Sequence, residues 1–124
     1  MPVPVLKQGD YLIASVQAAM TDTDAGRLQD DLMEQIGRFR SRGIIVDVTA
    51  LDIMDSFAAR SLQTIAHMTK LRGAVTVIVG IQPEVAFAMV QLGLTLPDVH
   101  TALDLEEGLA FLASQGEGSG RDQR

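Results

Sequence analysis

The sequence predicts an α/β domain in which a central, mostly parallel sheet is packed against helices. Three observations carry that expectation. Gly43–Thr49 and Ala74–Val79 are nearly unbroken apolar runs, the pattern of strands covered on both faces. Stretches with helical apolar spacing, each about 10–20 residues long, alternate with them, which calls for crossover connections between parallel strands. A chain of 124 residues with 47% apolar content supplies one core and one domain.

The elements follow in order. Val3, Val5 and then Leu12–Val16 read as two short strands joined through Gln8–Gly9–Asp10, a hairpin-type turn. Thr21–Asp22–Thr23–Asp24 places hydroxyls and carboxylates where a helix start needs caps and negative charge. Leu28, Leu32, Ile36 and Phe39 then recur at helical spacing. Arg38, Arg40 and Arg42 load the last turn, where they favour the helix C-terminus and splay over different sides. Gly43 is expected to stop this helix. The loop Ala50–Asp55 leads into a second helix from Ser56 to about Arg72, ended by Gly73. After the strand Ala74–Val79, Gly80–Ile81–Gln82–Pro83 turns into a third helix with Pro83 in its first turn, and Gly93 closes it. Val99–Ala102 is a last short strand. Asp104 starts a final helix carrying Leu105, Leu109 and Leu112. The glycine- and charge-rich segment 116–124 is expected to be a disordered tail behind a domain spanning 1–115.

Composition excludes several classes of function. The chain carries 16 Asp plus Glu against 10 Lys plus Arg, a net charge of −6, with 4% aromatic residues and no Trp. Such a surface neither neutralises phosphates nor stacks on bases, so a nucleic-acid partner is not expected. The absence of cysteine removes disulfides, thiolate metal sites and cysteine nucleophiles. The apolar run Val85–Val90 is far short of the roughly 20 residues a spanning helix needs. Met1–Lys7 has no basic segment followed by a long apolar one, so no signal peptide is read. These features predict a soluble cytoplasmic protein.

The chemistry-bearing stretch is Leu51–Asp52–Ile53–Met54–Asp55–Ser56–Phe57, beyond the carboxyl end of a central strand, where open α/β sheets meet ligands and partners. Ser56 sits where a helix N-cap belongs, and its plain reading is that its hydroxyl caps a free backbone N–H. The functional reading is a phosphate acceptor at a helix start. A catalytic nucleophile is the weakest reading. His67 is eleven residues along the same helix, about 16 Å away at helical rise, and no G-x-S-x-G elbow is present. Asp47, Asp52 and Asp55 raise a receiver-like Mg²⁺ pocket, but the acidic pair after the first strand and the late lysine that such a pocket needs are missing. No cofactor is implied. Met54, beside Ser56, offers an adaptable apolar contact for a partner.

Asp47–Val48–Thr49 followed by Asp52–Ile53–Met54–Asp55–Ser56–Phe57 resembles the phosphorylation loop of the STAS domain of the anti-anti-sigma-factor family. The resemblance runs from about Pro4 to Leu112. Leu71–Arg72–Gly73–Ala74, Gly80–Ile81–Gln82–Pro83 and Thr101–Ala102–Leu103–Asp104–Leu105–Glu106–Glu107–Gly108–Leu109 extend it in the same order. Typical members carry a second small residue where this chain has Phe57, and that departure is similar to the stressosome scaffold branch. The resemblance implies a STAS fold, a mostly parallel mixed sheet of about five strands flanked by about four helices. It implies a non-enzymatic scaffold that holds a serine/threonine switch kinase and joins STAS-domain sensor paralogues in a large assembly. Phosphorylation of Ser56 would release the kinase, and a cognate phosphatase would reset the site. Asp52, Met54, Asp55 and Phe57 are the implied partner-binding residues. A simple anti-anti-sigma factor that binds an anti-sigma kinase directly is the alternative.

Overall fold

The computed structural model describes residues 2–122, with side chains described through residue 115; of the disordered tail expected over 116–124, the backbone through 122 is helical and 123–124 lie outside the described residues. A five-stranded sheet is ordered β1 (Val5–Gln8), β2 (Tyr11–Ser15), β3 (Gly43–Asp47), β4 (Val75–Val79) and β5 (Val99–Ala102). β1 pairs antiparallel with β2 across the Gly9–Asp10 turn, and every later pairing is parallel. Gly9 takes φ +59°, which the tight turn requires.

Helices α1 (Asp22–Phe39), α2 (Ser56–Leu71) and α3 (Pro83–Leu92) each connect a strand to its next neighbour. Because the strands are laid down in one direction and parallel crossovers are right-handed, all three helices fall on the same face. Their core includes Leu12, Val16, Leu28, Leu32, Ile44, Leu62 and Ile78. Helix α4 (Leu105–Asp122) follows the last strand and covers the other face, where Leu112 packs with Ile13, Ile45, Val77 and Val79. Alternate residues of β3 and β4 therefore enter different cores, which is why their sequences read as continuous apolar runs. Among the described residues no helix is long and apolar enough to cross a membrane.

Thr21 caps α1 as expected: its hydroxyl accepts from the Asp24 N–H and the Asp24 carboxylate accepts from the Thr21 N–H, both at 3.1 Å. The other end differs from the sequence reading. α1 stops at Phe39, and Arg40, at φ +51°, is the left-handed cap. Gly43 is the first residue of β3; its missing side chain makes room for Leu112, whose Cδ2 would lie 2.7 Å from a Cβ there. Phe39 is not a core residue either. It lies at the surface with Lys7 and Arg38 over its ring, at 5.5 and 5.3 Å.

Two features carry stability predictions. Thr76 is buried in β4 with its hydroxyl unpaired. Thr76→Val keeps the branched shape and removes that polar atom, so it is expected to stabilise the fold by about 1 kcal/mol, read as a higher urea midpoint at unchanged slope. Asp98 accepts a 2.8 Å hydrogen bond from Lys70 Nζ, and His67 Nδ1 stands 3.9 Å away. The Lys70 bond, then its charge, then His67, hold the Asp98 carboxyl below the usual carboxylate range. A depressed carboxyl stabilises the fold fully above its unfolded pKa and loses that contribution as pH falls through the folded one. Lys70→Met should therefore lower stability at neutral pH and leave it unchanged once the pH is below both values. A loss of equal size at both ends of an acid titration would contradict the assignment.

Candidate functional site

The carboxyl end of β3 is held by a small polar lattice. Asp47 Oδ1 accepts from the Thr49 N–H at 2.9 Å and from its hydroxyl at 2.6 Å, and Gln82 Nε2 donates to the Thr49 carbonyl at 2.7 Å. Gly80 lies against this threonine at φ +81°; any side chain there would collide with the Thr49 hydroxyl. The Gly80–Ile81–Gln82–Pro83 motif is thus a clamp on the neighbouring strand end. Its glycine and proline are visible in the sequence; its target, Thr49, emerges only when the two strand ends lie side by side. Asp47 is spent on this lattice, and among the described residues no group of three His, Cys, Asp or Glu side chains is arranged to hold a metal.

From that clamp the chain runs through Ala50–Asp55 into α2. Leu51 and Met54 turn inward and anchor the loop in the core, while Asp52, Ile53, Asp55 and Ser56 face solvent. Met54 is only 3% exposed, so the docking role expected of it is corrected. The exposed apolar residue of the loop is Ile53, at 66%. Alternation gives no guide to this, because an irregular loop follows neither the strand nor the helix period. Phe57 is half-buried and lines a cleft with Val16, Met20, Leu51, Ile53 and Ala58, at the junction of this loop with the β2–α1 connection.

The helix cap is Asp55, not Ser56. The Asp55 backbone is extended, at φ −91° and ψ 178°, and its Oδ1 accepts from the Ala58 N–H at 2.8 Å. Ser56 is the first residue of α2, exposed, and its hydroxyl makes no hydrogen bond among the described residues. A carboxylate is the stronger acceptor for the orphan amides of a helix start, so the neighbour takes the cap and leaves the serine idle. Neither histidine serves it. His67 faces Asp98, and His100 stacks on Phe111 with ring centroids 3.5 Å apart. The arrangement is an unengaged hydroxyl on a rigid helix start, flanked by the carboxylates Asp52 and Asp55 and by the apolar Ile53 and Phe57.

Comparison with known proteins agrees with this architecture. A family model described as the STAS domain matches residues 3–108. The RsbT co-antagonist protein RsbRA of Bacillus subtilis (strain 168) is 30% identical over 89 residues, which are 71% of this chain and 32% of that protein; the chain thus spans about a third of the length of this curated relative. A structure of Moorella thermoacetica RsbS carrying a serine-to-glutamate exchange superposes with a TM-score of 0.79 at 31% identity, covering 93% of this chain and 97% of the other. A chain from a structure of the stressosome, described as a signal integration and transduction hub, gives 0.75 at 31% identity, with 91% and 98% covered. The fold, the strand order and the match across nearly all of the described core have one reading: the chain belongs to the STAS domain family.

Proposed function

We propose that this chain is a non-enzymatic switch scaffold of the stressosome type. Its 50–57 surface holds a serine/threonine kinase, and phosphorylation of Ser56 loosens that grip. The observation that supports this most directly is the idle hydroxyl: Asp55 performs the capping, so Ser56 is exposed at a helix start with no structural duty. Phosphoryl transfer to it needs nothing from this chain beyond presentation, because a kinase supplies the base and the metal. The phosphate would add about −1.5 to −2 charges beside two carboxylates, on the surface where Ile53 and Phe57 offer apolar contact. The similarity to RsbS and RsbRA supports assembly with STAS-domain paralogues, and a dedicated phosphatase would return the site to its unmodified state. The glutamate exchange in the RsbS relative adds charge of the same sign as a phosphate.

Mass spectrometry of the chain after incubation with its cognate kinase and ATP tests the reading. One phosphoryl group is expected on the peptide containing Ser56, and none on Ser56→Ala. Modification at other hydroxyls with Ser56 bare would refute it.

A further inference from the structure

The end of the sheet opposite Ser56 carries an unexplained concentration of positive charge. At Arg40 the backbone turns left-handed, and residues 41 and 42 leave the line of α1 to enter β3. Arg38 stays apart over the Phe39 ring, as the expected splay requires, but Arg40 and Arg42 do not diverge. Arg40, Arg42 and Arg72 instead line one cleft of about 400 Å³ together with Gly37 and Ser41. The floor is fixed by the backbone: the Arg42 N–H donates to the Asp10 carbonyl at 2.8 Å, and its carbonyl accepts from the Val75 N–H at 3.1 Å. Gly37 makes room for the Arg72 guanidinium, whose Nη2 would lie 2.7 Å from a Cβ there.

Capping of helix C-termini does not account for these arginines. Several of the terminal carbonyls are served by main-chain donors: Ile36 by the Arg40 and Ser41 N–H groups, Met68 by that of Arg72, Thr69 by those of Arg72 and Ala74, and Lys70 by that of Gly73. Among the described residues none of the three guanidinium groups makes an ion pair or a side-chain hydrogen bond. The two helix ends supply together only about one unit of negative charge against three of positive. A second, independent feature points the same way. Ser41 is 6% exposed, and its hydroxyl is buried without a partner in the wall of this cleft. Buried hydroxyls are ordinarily bonded.

We infer that this cleft is a binding site for a small anion carrying two linked phosphoryl groups, of the pyrophosphate class. Guanidinium forks pair bidentately with phosphoryl oxygens. One phosphoryl group occupies one or two forks, whereas three forks and a hydroxyl match two. The cleft is open to solvent and has room for a small ligand. The Ser41 hydroxyl has no exposed surface as it stands, so a ligand in the cleft reaches it only on rotation of that side chain about its Cα–Cβ bond. This inference does not rest on Ser56, which lies at the other end of the strands.

Titration calorimetry of the full chain with inorganic pyrophosphate at low salt is the test. A saturable site is expected, with orthophosphate at least about tenfold weaker. Arg42→Gln and Arg72→Gln should each weaken it by about tenfold and Ser41→Ala by about fivefold, with unchanged circular dichroism, while Ser56→Asp has no effect. Amide shifts of the wild-type chain should cluster at residues 36–42 and 72–73, a readout that stands even where a variant fails to fold. Absence of a saturable heat, shifts centred elsewhere, equal affinity in Arg72→Gln, or tighter uptake of an acidic peptide than of pyrophosphate would each overturn the site.

Discussion

Ser56→Asp is expected to weaken binding of the cognate kinase by about 10- to 100-fold, while Ser56→Ala leaves it within about threefold of wild type. At ~6 Å a pair of like unit charges costs roughly 0.7 kcal/mol in water and ~3 kcal/mol at an effective dielectric of 20, the value suited to a surface being closed by a partner. The helix start offsets part of this, leaving ~1.4–3 kcal/mol to fall on the docked complex. The same offset separates lost affinity from lost folding. An aspartate at the first position of α2 sits at the positive end of the helix, with Asp55 still capping Ala58, so thermal stability should hold or rise by a few tenths of a kcal/mol. Fluorescence anisotropy with labelled kinase, paired with a melting curve, measures both. Equal affinities for wild type and Ser56→Asp would remove the switch.

Most of the fold is legible in the sequence because it follows from local periods. The central strands β3 and β4 announce themselves as two-sided apolar runs, Thr21 and Asp24 spell a capping box, and Gly73 and Gly93 stand where positive φ is required. What escapes depends on through-space neighbours. Gly43 reads as a helix stop from the chain alone, whereas its real constraint is Leu112, far away in sequence on α4. Arg40 takes the left-handed cap that a glycine is expected to fill, and that one turn brings Arg40 and Arg42 to the cleft that Arg72 also lines. At the candidate site, the sequence marks the Asp–Ser pair but not which member does what. Both side chains can cap a helix, and only the backbone at Asp55 decides which does. Met54 and Ile53 exchange roles for a similar reason, since an irregular loop has no period to read.

Two helix glycines should answer the same substitution in opposite ways. Gly26 lies in α1 with nothing within 4 Å of the Cβ that an alanine would add, so Gly26→Ala gains helix propensity alone, about 0.5–1 kcal/mol. Gly108 lies in α4, where a Cβ would stand 2.7 Å from Val79 Cγ1 and 3.5 Å from Ile45 Cδ1 and Val77 Cγ1. All three neighbours are fully buried in the sheet, so neither the strands nor their side chains have room to give. The propensity gain of Gly108→Ala is then cancelled or exceeded by an overpacking cost of about 1–3 kcal/mol. Gly108→Leu should go further, because the helix must lift off the face of the sheet where it covers Ile45, Val77 and Val79; a loss above about 3 kcal/mol is expected. Urea unfolding of the three variants checks the ranking. A Gly108→Leu midpoint at or above that of Gly26→Ala would mean that α4 is not seated on the sheet through this glycine.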